Sequence, residues 1–145
     1  MTCPPVVRPA QKSDAKRIAD LSTQLGYPCT SAAINEKLEH ILLSEDHFLL
    51  VAENTKEVVG YIHAMTREMQ FYLPAIEVAA LIVDVQYRGN GIGKLLLDAA
   101  EQFASERGFS QIVLYSNCIR TDAHRFYEKN GYFSTKSEKL YLKLL

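Results

Sequence analysis

The feature that most constrains the fold is the segment from Val83 to Lys94, which joins an apolar run to a regular helical pattern. Three of the chain's seven glycines lie at alternate positions within it, at Gly89, Gly91 and Gly93. Because glycine has no Cβ, a ligand or a neighbouring amide can approach its backbone closely. A loop that runs directly into a helix also presents unpaired N–H groups at the positive end of the helix dipole. The segment is therefore a candidate phosphate-binding site.

The elements on either side of this segment are predicted from their apolar patterns. The run from Ile76 to Val85 is interrupted by Glu77 and Asp84 and otherwise predicts a central strand that is covered on both faces. After the glycines, apolar residues recur at three- and four-residue spacing, which predicts a helix that packs on the sheet and ends near Gly108. The apolar residues of that helix are Ile92, Leu95, Leu96, Ala99, Ala100, Phe103 and Ala104.

The rest of the chain alternates between helical and strand-like patterns. Two helices are predicted in the first third, the first capped near Ser13 and the second capped at 30–31. A last short helix begins at 121–122 and ends at Gly131. Short apolar runs bounded by polar turns predict the strands. These strands lie around Val6 and at 47–53, 58–65, 76–85, 111–116, 132–136 and 140–144, whereas 67–74 is predicted to be a loop or an edge.

Composition limits the class of protein. With 145 residues and 48% hydrophobic content, the chain can form one well-packed core, and a single domain over 1–145 is expected. The chain has sixteen basic and seventeen acidic residues, so it lacks the positive net charge that is typical of a nucleic-acid-binding protein. Three widely spaced cysteines suggest neither disulfides nor a zinc site. No signal-peptide pattern or run of about 20 apolar residues is present, so neither a membrane nor secretion is expected, and we expect a cytoplasmic protein.

The spacing of the glycines argues against two common phosphate-binding motifs. Gly89, Gly91 and Gly93 do not form the Gly-x-Gly-x-x-Gly pattern of a dinucleotide-binding fold. The segment also lacks the Gly-Lys-Ser/Thr of a P-loop. A tight strand-to-helix turn without a ligand is the simpler alternative for isolated glycines.

Two motifs carry a resemblance to a known family. Gln86, Gly89 and Gly91 match the Gln/Arg-x-x-Gly-x-Gly/Ala pattern, and a Phe-Tyr-Glu-Lys-x-Gly-Tyr sequence follows about 30 residues later, at 126–132. In this order, after a strand and before a helix, the motifs resemble those of the GCN5-related N-acetyltransferase (GNAT) family. The resemblance covers the chain from Glu77 to the C-terminus. The first 70 residues match only in the order of elements, and substrate recognition in such families tends to lie there.

The resemblance implies a fold and a cosubstrate. The fold is a single α/β (α+β) domain with a mixed, mostly antiparallel sheet of six to seven strands and about four helices, in which two parallel central strands splay apart after Val83. Acetyl-coenzyme A would insert its pantetheine arm into that cleft. The implied coenzyme-binding residues are Leu81, Ile82 and Val83 for the arm and the acetyl carbonyl, Arg88, Gly89, Asn90, Gly91, Ile92, Gly93 and Lys94 for the pyrophosphate, and Asn117, Phe126 and Tyr127 from the second motif.

The resemblance also implies catalytic roles. Tyr127 stands where the family's usual tyrosine donates a proton to the coenzyme A sulfur, and the alternative is a core tyrosine. Glu77 is the candidate base, because it is an acidic residue within an apolar strand, and burial favours the protonated form of a carboxyl group. The alternative for Glu77 is a salt-bridged carboxylate. Many relatives carry a glutamate at the position of Ala80, so a water chain could replace a carboxylate base here.

The implied function is transfer of an acetyl group from acetyl-coenzyme A directly to a primary amine. The segment 116–132 is most similar to relatives that acetylate small amines such as aminoalkylphosphonates, and polyamines are comparable acceptors. A protein lysine or N-terminal acetyltransferase and a non-catalytic acyl-coenzyme A sensor are the alternatives. The apolar end of the chain, 141–145, makes a homodimer plausible.

Overall fold

The computed structural model describes residues 3–145, which form five strands and four α-helices. The strands are β1 (Val6–Pro9), β2 (His47–Glu53), β3 (Val58–Met69), β4 (Tyr72–Val83) and β5 (Ile112–Leu114). The helices are α1 (Ala15–Gln24), α2 (Ser31–Ile41), α3 (Ile92–Glu106) and α4 (Thr121–Lys129), with short 3-10 turns at Lys12–Asp14 and Val85–Tyr87. The chain falls into two compact units, one up to Leu114 and one from Tyr115 to Leu145, and the single domain over 1–145 stays a prediction.

The first unit is built on one sheet with the strand order β1-β2-β3-β4-β5. The first four strands pair antiparallel with their neighbours, and β5 runs parallel to β4. The polar turn 54–57 closes the β2–β3 hairpin, where the side chain of Asn54 accepts the N–H groups of Lys56 and Glu57, both at 2.8 Å. The predicted mixed, mostly antiparallel sheet and the four helices are therefore confirmed.

The prediction of six to seven strands was wrong for residues 3–145. The segments 132–136 and 140–144 alternate in sequence as strands do, but they carry no regular secondary structure. Alternation alone does not make a strand, because each strand needs an edge that accepts its backbone hydrogen bonds. Leu140, Tyr141, Leu142 and Leu144 are each more than three-quarters exposed.

Two strand boundaries also differ from the prediction. The segment 67–74, expected to be a loop or an edge, extends β3 to Met69 and begins β4 at Tyr72. The strand expected at 111–116 is shorter and ends at Leu114.

Helices cover the two faces of the sheet. On one face, α1 and α2 pack their apolar sides on β2, β3 and β4, where Leu21, Leu38, Val51, Tyr61 and Ile82 form a buried cluster. Thr30 caps α2 by accepting the Ala33 N–H at 3.1 Å. Successive side chains of a strand point to opposite faces, and α3 packs against the alternate residues on the other face of the sheet.

Contacts between α3 and the sheet are close. Phe48 of β2 meets Phe103 with ring centroids 3.9 Å apart. Gly60 lies so close to α3 and β4 that a Cβ there would be 2.9 Å from the Ile82 carbonyl oxygen and 3.2 Å from Leu96 Cδ1. These contacts fix α3, and with it the glycine segment that precedes it, against the middle of the sheet.

Candidate active site

The end of β4 extends beyond its parallel neighbour. β5 pairs with β4 from Ile76 to Val78 and ends at Leu114, whereas β4 continues for five more residues to Val83. The pairing of the two parallel strands therefore ends at Val78, and their splaying after Val83 stays a prediction. At the same point β4 carries a bulge, because His63 pairs with Ala80 and Ala64 pairs with Val78, which leaves Ala79 as the extra residue.

The hydrogen-bond ladder decides where the amides of this extended segment point. Asp84 N–H donates to the Val59 carbonyl oxygen at 2.8 Å, and hydrogen-bonded pairs alternate along an antiparallel ladder. The next such pair is therefore Tyr61 with Ile82, so the Ile82 amide faces β3. Leu81 and Val83 lie between these pairs, and their amides face the opposite side, toward the edge that β5 leaves. Of the three amides predicted to hold the pantetheine arm, these two have the suitable orientation.

A turn anchored by Asp84 connects β4 to the glycine segment. The Asp84 carboxylate is 5% exposed, accepts the Gln86 N–H at 2.9 Å and accepts a hydrogen bond from Arg17 Nη2 of α1 at 2.8 Å. The adjacent Val85 N–H donates to Gln24 Oε1, also in α1, at 3.0 Å. In the sequence Asp84 interrupts an apolar run, and its role in this turn was not predicted. An aspartate two residues before Gln86, at the end of a strand, is typical of such a turn.

Two glycines of the segment have a left-handed backbone conformation. Gly89 and Gly91 have φ values of +81° and +77°, and a Cβ at either position would point into open space. Gly91 is the N-cap of α3, and the Leu95 N–H donates to its carbonyl oxygen at 3.0 Å as the first bond of the helix. The N–H groups of 92–94 precede that bond, so the helix itself offers them no acceptor.

Hydrogen bonds from side chains to the backbone stabilise the loop around these amides. Asn90 Nδ2 donates to the Tyr87 carbonyl oxygen at 3.0 Å, and Arg88 Nε donates to the Val83 carbonyl oxygen at 3.1 Å. The exposed Lys94 ammonium lies 2.6 Å from Asp98 Oδ2 one turn along α3, and this carboxylate raises the pKa of Lys94. The segment therefore combines free amides, a helix N-terminus and two cationic side chains, which is suited to a phosphate group.

Asp84 gives a test of this anchoring. Burial opposes ionisation of Asp84, but the hydrogen bonds from Arg17 and the Gln86 N–H outweigh it and hold its pKa below the ordinary value. A carboxyl group whose pKa is lower when folded stabilises the fold above its unfolded pKa of about 3.9, and that stability is lost as the pH falls through the folded value. We expect Asp84→Asn to cost about 1.5–3 kcal/mol at pH 7, and the difference from the wild type to shrink below about pH 4.

Denaturant unfolding of the two proteins at pH 7 and at pH 3 measures this difference. Asp20→Asn is the matched control, because Asp20 lies 3.9 Å from the same Arg17 but is about half exposed, and we expect it to cost less than about 1 kcal/mol. Equal stabilities for Asp84→Asn and Asp20→Asn would show that Asp84 does not hold the turn.

Glu77 lies on the sheet face that α1 and α2 cover, because its cross-strand partner Met65 follows Tyr61 and His63 at two-residue spacing. Its carboxylate is half-buried, and Oε1 lies 3.6 Å from Arg67 Nη1. The salt-bridge partner of the alternative interpretation therefore exists. The role of Glu77 as a base stays a prediction.

The second unit contains the remaining predicted residues. Asn117 starts the turn into α4, where its Oδ1 accepts the Ile119 N–H at 3.1 Å and its carbonyl oxygen lies 2.9 Å from His124 Nε2. Within α4, Phe126 and Tyr127 meet edge to face at 5.3 Å, and Tyr132 meets Tyr127 at 5.9 Å. Tyr127 is half-buried, and this burial raises its pKa, against a smaller opposing effect of Arg120. The phenol is therefore protonated at neutral pH.

The structure contains two contacts that the sequence did not indicate. They are the long-range contact between Asp84 and Arg17 and a hydrogen-bonded pair of histidines on β2 and β3, His47 and His63. The partners in each pair are distant in the chain, so no local pattern marks them. No group of three or more potential metal ligands occurs within 3–145, and no helix of that range has the length and hydropathy required to cross a bilayer.

Comparison with known proteins extends these observations. A model of the acetyltransferase (GNAT) family matches residues 15–132. The aminoalkylphosphonate N-acetyltransferase of Salmonella typhimurium is 40% identical over 90 residues, which are 59% of this chain and 56% of that protein. Human N-acetyltransferase 8B is 33% identical over 86 residues, which are 59% of this chain and 38% of that protein. The chain thus spans between about a third and just over half of the length of these curated relatives.

A solved structure with the same fold is the aminoglycoside N-acetyltransferase AAC(6')-Iy in complex with CoA. It superposes with a TM-score of 0.85 over 96% of this chain and 94% of that chain, at 17% sequence identity. At that identity the similarity establishes the fold.

Proposed function

Because the chain belongs to the acetyltransferase (GNAT) family, we propose that it transfers the acetyl group of acetyl-coenzyme A to a primary amine. The observation that carries this proposal is the arrangement at the end of β4. The amides of Leu81 and Val83 face the edge left by β5, and the free amides at the start of α3 follow within one short turn and a glycine loop. This arrangement suits an extended cosubstrate with an acyl group at one end and phosphates at the other.

The proposed binding of acetyl-coenzyme A follows the chain. Its pyrophosphate accepts hydrogen bonds from the N–H groups of 92–94, at the positive end of the α3 dipole, where Gly89 and Gly91 keep the approach free of side chains. Its pantetheine arm lies along β4 and extends the sheet with backbone hydrogen bonds to Leu81 and Val83. Asn117, Phe126 and Tyr127 are proposed as further coenzyme-binding residues from the family resemblance, and the CoA in the AAC(6')-Iy structure supports acetyl-coenzyme A as the cosubstrate.

The proposed reaction requires three operations. The unprotonated amine nitrogen attacks the thioester carbonyl carbon, and the oxyanion that forms is stabilised by a backbone N–H such as that of Leu81. The carbon–sulfur bond then breaks, and the departing thiolate takes a proton from the Tyr127 hydroxyl. Burial raises the pKa of Tyr127, so the hydroxyl carries its proton until the thiolate forms. The ammonium form of the amine loses one proton before the attack, for which Glu77 is the predicted acceptor, and the nitrogen loses a second proton after the attack, which restores the Tyr127 hydroxyl.

A small primary amine is the proposed acceptor. The Salmonella typhimurium relative is named for aminoalkylphosphonates, and 40% identity over 90 residues makes that class the first to test. Polyamines are the second class. Protein acetylation and acyl-coenzyme A sensing remain the alternatives. A cytoplasmic location and a homodimer are part of the same proposal, and the exposed apolar residues of 140–144 support the homodimer.

Release of the coenzyme A thiol tests the proposal. Acetyl-coenzyme A is incubated with the full chain and one member at a time of a panel of aminoalkylphosphonates, polyamines, aminoglycosides, amino acids and peptides. An incubation without amine gives the rate of thioester hydrolysis. We expect at least one small amine to raise thiol release well above that rate and to yield the N-acetyl product by mass spectrometry.

The alternatives predict different results in the same experiment. Turnover with peptides alone would identify a protein acetyltransferase. Binding of acetyl-coenzyme A by calorimetry without turnover would identify a sensor. The absence of both binding and turnover would refute the proposed function.

A further inference from the structure

Side chains on the α1–α2 face of the sheet form ordered rows across the strands. One row contains Leu49, His63 and Ala80, because His63 pairs with Leu49 on one side and with Ala80 on the other. The adjacent row contains His47, Met65 and Glu77, which are also cross-strand partners. Cross-strand partners project from the same face with Cβ atoms about 4.5–5.5 Å apart. His63 therefore stands directly beside Ala80, at the bulge and one residue before Leu81.

His47 and His63 interact directly. His47 Nδ1 lies 3.0 Å from His63 Nε2, and the two rings stack with centroids 5.2 Å apart and an interplanar angle of 26°. One of these two nitrogens carries the hydrogen and donates it to the other. The hydrogen bond can form between two neutral rings or between one charged and one neutral ring. Burial, and then the neighbouring His47, lower the pKa of His63 to about 4. His63 is therefore a neutral imidazole at pH 7, with one basic nitrogen.

We propose that His63 and His47 form a two-ring relay that removes the proton from the acceptor amine. This inference rests on the proposed function and assigns the proton acceptor to the histidine pair, in place of Glu77 or a water chain. The acyl carbonyl at the Leu81 amide and the His63 ring flank Ala80, whose methyl group is small. We place the acceptor amine beside Ala80, where His63 is the cross-strand neighbour and Leu81 is the next residue of the strand.

The proposed transfer moves two protons, one from the ammonium to His63 and one from His63 to His47. When His63 Nε2–H donates to His47 Nδ1, His63 Nδ1 has the free lone pair. The ammonium N–H bond breaks as a proton moves to His63 Nδ1, and the Nε2–H bond of His63 breaks as its proton moves to His47 Nδ1. His63 is neutral before and after, which suits a ring whose burial disfavours the cation. The positive charge of the ammonium is thereby transferred to the half-buried His47, which then releases a proton to water.

The other ionisable groups on this face are engaged elsewhere. The Tyr61 hydroxyl is buried and lies 2.7 Å from Ser22 Oγ of α1. Glu77 and Arg67 form an ion pair at 3.6 Å, and the Arg67 guanidinium also lies over the Tyr72 ring at 5.2 Å. The histidine pair thus offers a neutral base next to Ala80 without breaking an ion pair.

Steady-state kinetics of His63→Gln, His47→Gln and His40→Gln test the relay with the fastest amine of the panel. We expect His63→Gln to lower kcat about 100-fold and His47→Gln to lower it about tenfold, while calorimetry gives an unchanged Kd for acetyl-coenzyme A. His40 lies on the exposed side of α2 and serves as the control with wild-type kcat. Normal turnover by His63→Gln overturns the relay alone, whereas failure of the wild type to acetylate any amine refutes the proposed function.

A second acceptor amine distinguishes a role of His63 as a base from a role in packing alone. 2,2,2-Trifluoroethylamine is weakly basic and already unprotonated at neutral pH, so loss of the base should lower its rate much less than that of the ordinary amine. An equal loss for both amines would overturn the relay. Independently of activity, ¹⁵N NMR of the imidazole rings should show His63 neutral and hydrogen-bonded to His47 at pH 6, and a charged His63 at that pH would contradict it.

Discussion

Replacement of Tyr127 by phenylalanine is expected to lower kcat by about 100-fold or more, because the departing thiolate then loses its proton donor. The ring contacts with Phe126 and Tyr132 do not require the hydroxyl, so we expect the melting temperature to stay close to that of the wild type. The Kd for acetyl-coenzyme A should also change little, since the hydroxyl acts on a charge that develops only during the reaction. Steady-state kinetics and calorimetry on the same preparation measure both quantities.

Tyr141→Phe is the matched control for this experiment. Tyr141 is 86% exposed, so removal of its hydroxyl should alter neither kcat nor Kd. If Tyr127→Phe kept the wild-type kcat, Tyr127 would be a packing residue of α4, and the proposed chemistry would need another proton donor.

Gly91→Ala is expected to weaken acetyl-coenzyme A binding by about 10- to 100-fold, which corresponds to the loss of one or two hydrogen bonds to a charged phosphate. Gly91 has a φ of +77°, which an alanine adopts only with strain, so the first amides of α3 should move away from their positions. The added Cβ would also point into the open space that the phosphate is proposed to use. The Kd from calorimetry is the measured quantity.

Gly108→Ala separates strain from binding. Gly108 has a φ of +82° and open space around its Cβ position, but it follows the C-terminal end of α3. Both variants should lose a similar amount of stability, about 1 kcal/mol, and only Gly91→Ala should lose affinity. Equal Kd values for the two variants would refute the phosphate-binding role of the glycine segment.

Local patterns were sufficient for several parts of the fold. The apolar spacing of α3 predicted a helix that packs on the sheet, and the glycines before it indicated a loop that runs directly from the strand into that helix. In both cases the residues that determine the structure are neighbours in the chain. The family prediction succeeded for the same reason, because its two motifs are short and continuous.

Long-range partners could not be predicted in this way. The alternating pattern of 140–144 specifies which residues could share a face, but not whether another strand accepts the backbone hydrogen bonds. The same limit applies to Asp84, whose partner Arg17 is 67 residues away, and to His63, whose partner His47 belongs to another strand. These contacts depend on register and helix placement, which the whole sheet determines.

The bulge at Ala79 has a consequence for how β4 divides its side chains. Ile76 and Val78 precede it and point toward α3, whereas Ala80 and Ile82 follow it and point toward α1 and α2, although all four positions are even-numbered. The even-numbered residues of β4 therefore face one hydrophobic layer before the bulge and the other layer after it. The extra residue places the odd-numbered Glu77 on the same face of the sheet as the even-numbered Ala80 and Ile82.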